Sequence, residues 1–284
     1  MIINTNASSL NAQRYLSVNS KNYSKSLERL SSGYRINRAG DDAAGLQISE
    51  LLRGQIRGLK KAGDNTQDGI NVLNIADGSF QTIQDNLQRV RELTVQAAND
   101  TYGTTQRTII ENEIDQLRAD IDRIASGTNF NSISLLGSAT PANYFIQVGA
   151  GSSTVVDRID VASALGNVST STTGINLSAA AAQFTDNSAV QAYLTKVDAA
   201  ITALGSKRSV LGAFLNRFEG TFNNINAAVE NTSITESRIR NVDVAAESAE
   251  LTRNQILQQS SASILAQANQ VPQLALSLLQ GLGR

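Results

Sequence analysis

The side chains that most often carry chemistry near neutral pH are missing from this 284-residue chain, which has no His and no Cys. That removes the usual general base, the commonest metal ligand and any thiolate nucleophile, disulfide or Cys-bound cluster. What remains is carboxylate chemistry, an acid–base pair or an oxygen-ligated cation, for which 25 Asp and Glu are available. Two of the places that bring carboxylates together lie outside the long helical stripes. Asp41-Asp42 lies between Gly40 and Gly45, and Asp157-Arg158-Ile159-Asp160 supplies the charges of a mid-chain segment. Neither has further ligands at metal-binding spacing, and neither pairs a nucleophile with a base, so no catalytic residue, metal residue or cofactor is expected. Asp41 or Asp42 fits better as the cap of a following helix, beside glycines that tolerate irregular backbone.

The elements that must position these residues are helical. In the C-terminal half, alternating steps of four and three select Val190, Leu194, Val197, Ile201, Leu204, Arg208, Leu211, Leu215, Phe218, Phe222, Ile225 and Val229, all apolar but one. In the N-terminal half the same rhythm runs from Leu52, Ile56, Leu59, Gly63, Thr66, Ile70 and Leu73 to Ala76, Phe80, Ile83, Leu87, Val90, Thr94 and Ala97. A shorter stripe follows at Ile110, Ile114, Leu117, Ile121 and Ile124. A stripe at this period demands a partner helix wound against it. The spacing predicts helices over about 44–99, 104–126 and 188–232, packed as an elongated bundle.

Residues 138–187 differ. Strand-prone runs at 143–148 and 155–161 flank Gly149-Ala150-Gly151-Ser152, which predicts a β-hairpin, and Ser169 to Gly174 reads as a surface loop or flexible link. The termini carry only thin stripes: Ile3, Ala7, Leu10, Leu16, Ser20, Tyr23, Leu27 and Leu30 at one end, Leu257, Ser261, Ile264, Ala268, Val271, Ala275 and Leu278 at the other. Neither can readily offset the entropy of folding alone. The apolar run with Leu274, Leu276, Leu278 and Leu279 would also be exposed in a lone chain. Both ends are therefore expected to order against each other and against other copies.

Charge agrees with self-association. The net charge of −1 offers no cationic face for nucleic acid, yet residues 1–64 hold 10 basic and 5 acidic side chains and residues 65–137 hold 5 basic and 10 acidic. No run approaches the roughly 20 apolar residues of a membrane span, so no membrane insertion is expected. The N-terminus lacks the basic and apolar regions of a cleavable leader, which by itself would suggest the cytoplasm.

Three stretches are recognisable. LSSGYRINRAGDDAAGLQIS (30–49) and LQRVRELTVQAAND (87–100) resemble the N-terminal signature of bacterial flagellins, and QILQQSSASILAQANQVPQLALSLLQ (255–280) resembles the C-terminal one. The resemblance covers about the first 137 and the last 95 residues. It implies a mainly α fold with paired terminal helices, a small central β-hairpin region and none of the large outer domains of longer flagellins. Residues 1–42 and 241–284 would form the inner-tube domain, and 43–240 the rod, with a short outer segment at about 138–187. The implied function is that of a structural subunit polymerising into the extracellular filament that drives swimming, exported unfolded. A hook–filament junction protein is the alternative.

Residue by residue, the resemblance places inner-tube polymerisation on Ile3, Ala7, Leu10, Leu27, Leu30, Ile264, Val271, Leu274, Leu278 and Leu279, and the connection between layers on Gly40, Asp41, Asp42 and Gly45. It matches Arg89, Leu93 and Glu113 to contacts for Toll-like receptor 5. Implied partners are further copies of the chain, an export chaperone, a filament cap protein and junction proteins, and Ser169 to Thr173 sit where some flagellins carry O-linked glycans.

Overall fold

The structure is a computed structural model that describes residues 6–171, 174–177 and 184–281, with side chains described as far as Gln270. In chain order the elements are α1 (Ala7–Ser32), α2 (Ala43–Ala97), α3 (Thr104–Gly127), β1 (Asn129–Phe130), β2 (Ile133–Ser134), β3 (Phe145–Gln147), β4 (Arg158–Asp160), α4 (Asn187–Arg240) and α5 (Val244–Gly281). They divide into two compact units, one of residues 1–54 with 231–284 and one of residues 55–230.

The unit of residues 55–230 holds the hydrophobic core. From Gly63 to Ala97 every predicted seam position of α2 is buried except Ile70, which is half-buried. The seam includes two threonines, whose hydroxyls would be costly to bury unpaired. Thr66 Oγ1 donates to Ala62 O and Thr94 Oγ1 to Val90 O, both at 2.7 Å, so each is satisfied within its own helix. On α4, every seventh residue from Val190 through Val197, Leu204, Leu211 and Phe218 to Ile225 is buried, while Leu194, Ile201, Leu215, Phe222 and Val229 are half-buried. The one polar seam residue, Arg208, bonds Asp77 on α2 at 3.1 Å. At the start of α4 the buried stripe widens to Tyr193 and Ala200, because α3 supplies a second partner there. Burial and the nearby carboxylates of Asp115 and Glu111 push the Tyr193 phenol up to about 12, against the opposing pull of Arg118.

The β3–β4 hairpin forms in antiparallel register Phe145↔Asp160, Ile146↔Ile159 and Gln147↔Arg158, with shorter strands than the sequence predicts. It lies against α2 where that helix lacks side chains. A Cβ on Gly58 would stand 2.9 Å from the Ala150 Cβ, and one on Gly69 3.3 Å from Ile146 Cγ2. Asn65 Nδ2 adds a bond to Gln147 O at 3.2 Å.

A second hairpin, β1–β2, turns on Asn131 and Ser132, both at positive φ (49° and 65°), which is the two-residue geometry usually marked by Asn-Gly. The loop at 169–171 is anchored at Thr170, which speaks against a flexible link, while Ser171 is exposed as in a surface loop. Thr170 is buried, its N–H and hydroxyl donating to Asp122 Oδ1 and Oδ2 at 2.6 and 2.7 Å, which takes it out of reach of a glycan. Thr172 and Thr173 lie outside the described residues.

The unit of residues 1–54 and 231–284 pairs α1 with α5. α1 begins at Asn6, whose Oδ1 accepts from Ser9 N at 3.1 Å, and ends at Gly33, whose φ of 74° suits a residue without a Cβ. The chain leaving α1 and the chain entering α5 pair with each other: Tyr34 bridges Asn241, Arg35 N donates to Arg240 O at 2.7 Å, and Val242 N to Gly33 O at 3.0 Å. Asp243 then caps α5 through Ala245 N and Ala246 N.

Candidate assembly surface and connecting segment

The seam between α1 and α5 carries a series of polar contacts. Reading along α1, Ser9 Oγ bonds Asn269 Oδ1 at 2.7 Å, Asn19 Nδ2 bonds Ser261 Oγ at 2.8 Å, Asn254 Nδ2 reaches Ser26 Oγ at 3.5 Å, and Arg29 pairs with Glu247 at 3.5 Å. Partner numbers fall as α1 numbers rise, so the helices are antiparallel. The most buried positions recur every seven residues, Ala12 and Ser26 on α1, with half-buried Asn19 between them, against Ser261, Asn254 and Glu247 on α5; four residues on from each, Leu16, Tyr23 and Leu30 of α1 and Leu251, Gln258 and Leu265 of α5 are half-buried. Hydrogen bonds of this kind contribute about 1 kcal/mol each net of water, and orient helices more than they hold them together.

Other large apolar side chains of the pair are left to solvent. Leu10 is 58 % exposed, Leu27 49 % and Ile264 56 %, and Tyr15, Val18, Ile256 and Leu257 are exposed beside them. Of the other positions assigned to polymerisation, Ala7 is exposed and Leu30 half-buried, while Ile3 lies outside the described residues. Val271, Leu274, Leu278 and Leu279 belong to α5, beyond the described side chains.

The connecting segment brings Asp41 and Asp42 into distinct jobs. Asp42 caps α2, its Oδ1 accepting from Gly45 N at 2.8 Å, an arrangement that contributes about 1 kcal/mol. Asp41 Oδ2 accepts from the N–H groups of Asn37 and Arg38, both at 3.2 Å, and its other oxygen meets Lys25 Nζ of α1 at 2.7 Å. Gly45 is helical: a side chain there would run into the Asp42 carboxylate and stand 2.8 Å from Ile36 Cδ1. Gly45 therefore serves close packing over the buried Ile36, and irregular backbone is not its role. Gly40 sits in the turn closed by Asp41 N and Arg38 O, at negative φ with open space around it, so of the two glycines only Gly40 lies outside regular helix. A further cluster went unseen in the sequence: Glu50 accepts from Arg240 at 2.8 Å and Arg53 at 2.9 Å, and Arg240 lies 4.8 Å over the Tyr34 ring. Arg240, then Arg53, hold the Glu50 carboxyl below its usual range.

The Lys25 hydrogen bond, followed by the two backbone N–H groups and working against partial burial, lowers the Asp41 carboxyl from 3.8 to about 2. A carboxyl with a depressed folded-state value contributes stability above its unfolded value and loses it as pH falls through the folded one. The stability difference between the native chain and Asp41→Asn is therefore expected to be full above pH 4 and to shrink between about pH 4 and pH 2. Urea unfolding of both proteins across that range checks it; a difference independent of pH contradicts the assignment.

On the other unit, Arg89 and Glu113 are exposed and joined at 2.9 Å, and Arg89 also reaches Glu92 at 3.2 Å. Glu113, then Glu92, raise the Arg89 guanidinium above its ordinary value. Leu93 does not share that surface. It is 2 % exposed and belongs to the core, because it lies on the inward side of α2 next to Thr94 and Val90. A partner reading this face of the folded chain meets Arg89 and Glu113, with Leu93 acting only through the packing beneath them.

Comparison with known proteins agrees with this architecture at both ends. Residues 3–140 match the bacterial flagellin N-terminal helical region and residues 194–279 the bacterial flagellin C-terminal helical region. The chain is 43 % identical to a flagellin of Halalkalibacterium halodurans and 43 % identical to one of Bacillus subtilis, each alignment covering 99 % of this chain and 100 % of the relative. A putative flagellar hook-associated protein from Vibrio parahaemolyticus superposes with a TM-score of 0.58 at 13 % identity, over 71 % of this chain and 100 % of that one, which is a likeness of fold alone. With identity at that level running the whole length of both chains, the protein belongs to the bacterial flagellin family and is a structural subunit of the flagellar filament, not an enzyme.

Proposed function

We propose that the α1–α5 pair is the part of this subunit that builds the polymer, its polar seam setting the register of the two helices and its outward apolar side chains supplying the contacts between copies. The observation that carries this reading is the exposure of Leu10, Leu27 and Ile264 beside a seam whose most buried residues are small or polar. An apolar interface stabilises by about 25 cal/mol per Å² removed from water, so the burial absent within one chain becomes available between chains. Residues 1–42 and 241–284 make the inner layer on this account, Gly40 to Gly45 lead from it into α2, and polymerisation is assigned to Ile3, Val271, Leu274, Leu278 and Leu279 as well.

The junction-protein alternative predicts short rings in place of propagating tubes. Electron microscopy of the purified chain after addition to sheared filament seeds separates the two: long tubes are expected, and rings or unextended seeds contradict the reading. In the cell, growth of such a tube calls for an export chaperone, a cap protein at the tip and junction proteins at the base.

The Arg89–Glu113 surface carries a second role, as a recognition site for Toll-like receptor 5 on the monomer. Its support is the exposed, paired geometry of the two charges and the match of residues 87–100 to the flagellin signature. Receptor-expressing cells treated with monomer are expected to respond, with Arg89→Ala and Glu113→Ala each lowering potency about tenfold, the scale of one lost contact at the centre of an interface. Equal potency of native and substituted proteins contradicts it.

A further inference from the structure

Within the unit of residues 55–230, α2 and α4 have a third element against them where α3 or the β3–β4 hairpin packs. On one side of the pair, between Lys60–Asp64 and Phe222–Val229, nothing of the described chain covers the seam, and a groove of about 430 Å³ remains. Its floor is Phe222, Ile225 and Val229, and its rim is Lys60, Asp64 and Asn226. Gly63 keeps it open: even a Cβ there would be no nearer than 3.6 Å to Ile225 and 3.9 Å to Phe222.

The same unit presents an apolar knob. Val155 and Val156, at the tip of the β3–β4 hairpin, are 84 % and 76 % exposed, more than any other large apolar side chain among the described residues. The tip around them is fastened from within. Asp157 Oδ2 accepts from Ser153 N at 2.9 Å, Asp157 N donates to Ser153 O at 3.1 Å, and Gln147 Nε2 donates to both Gly149 O at 2.9 Å and Gly151 O at 3.0 Å. A loop already fixed in place loses little entropy when its valines are buried, which is what a docking element requires.

Knob and groove face different ways. The hairpin meets α2 through Gly58, Asn65 and Gly69, whereas Lys60 and Asp64 lie roughly half a turn around that helix at 3.6 residues per turn. A chain cannot turn its own tip into its own groove without detaching the hairpin from α2. Between copies, a knob on one side and a socket on the other make a heterologous contact, the kind that continues from molecule to molecule without closing on a pair.

We propose that the Val155–Val156 tip docks into the groove over Gly63, Phe222, Ile225 and Val229 of a second copy of the chain. The contact rests on the filament reading for its supply of stacked copies, but it belongs to residues 55–230 and is separate from the α1–α5 surface. Absence of Cys from the sequence makes it directly testable. The full chain carrying both Val155→Cys and Asn226→Cys, assembled from seeds and then oxidised, is expected to give a ladder of disulfide-linked dimers, trimers and higher species under denaturing conditions. Either single variant is expected to give no ladder, and a mixture of the two single variants dimers only.

Well-formed filaments that yield no ladder overturn the docking while leaving the filament reading standing. An internally linked monomer also overturns it, by placing the tip in its own groove. Failure of the native chain itself to assemble overturns both. Independently, Val155→Asp/Val156→Asp changes only exposed loop positions, so monomer melting should be unchanged while the concentration needed for growth rises at least tenfold. Unchanged growth of that variant contradicts the proposal.

Discussion

Leu10→Asp/Ile264→Asp stops filament growth and leaves the unfolding of the monomer where it was, to within about 0.5 kcal/mol. Both side chains are more than half exposed in the single chain, so the monomer has little to lose from their replacement. In the polymer the account places them in apolar contacts between copies, where burying a Leu or Ile stabilises by about 1.5–3 kcal/mol and burying a carboxylate without a partner costs several. Two such changes per subunit raise the concentration needed for growth at least about a thousandfold, since each 1.4 kcal/mol is a factor of ten. Light scattering after seeding measures it, with urea unfolding of the same samples as the control. Growth within tenfold of the native chain would mean that the outward face of α1 and α5 is not the assembly surface.

The second large effect falls on folding. Phe80 of α2 and Phe218 of α4 are fully buried, among the largest side chains without solvent contact. Phe80→Ala and Phe218→Ala each remove a ring from a packed core and leave a cavity that long helices held by several neighbours cannot collapse to fill. A loss of about 3–5 kcal/mol is expected for each in the main urea transition. Assembly by the surviving folded protein should be normal below the shifted midpoint, because neither residue reaches the surface. A loss under about 1 kcal/mol contradicts the seam described for residues 55–230.

The two experiments invert each other, and the inversion explains what the sequence could and could not disclose. The α2 and α4 seams were legible because their apolar residues face inward, so period and burial coincide from Leu73 to Ala97 and from Val190 to Ile225. The same rule serves α1 only in part. Leu16, Tyr23 and Leu30 of its apolar stripe turn partly inward, Leu10 and Leu27 stay exposed, and the most buried positions are Ala12 and Ser26, which no hydrophobic pattern selects. A spacing of seven among small polar residues, repeated at Glu247, Asn254 and Ser261, was the available signal.

Short-range chemistry was legible only where a side chain meets its own neighbourhood. A cap by Asp41 or Asp42 followed from the acidic pair before a helix, of which the fold uses Asp42, and the β3–β4 hairpin followed from strand-prone runs around glycines. The Asp41–Lys25 pair, the Glu50–Arg240 contact and the Thr170–Asp122 anchor join residues 16, 190 and 48 positions apart, and only the folded chain brings them together. The β1–β2 turn was missed because Asn131-Ser132 adopts a conformation for which Asn-Gly is the ordinary marker. Leu93 was placed with Arg89 and Glu113 by resemblance alone; helix periodicity puts it inward, beside Val90.

Amide hydrogen exchange, read segment by segment on the monomer and on assembled filaments, tests the central claim most directly. A helix pair whose most buried residues are small or polar should open readily in the single chain, whereas α2, α3 and α4 within residues 55–230 are held by a closed apolar core. The account predicts fast exchange over residues 7–32 and 250–270 in the monomer, strong protection of the same residues in filaments, and slow exchange of the core in both. Protection of α1 and α5 in the monomer equal to that of the core, unchanged on assembly, would contradict it.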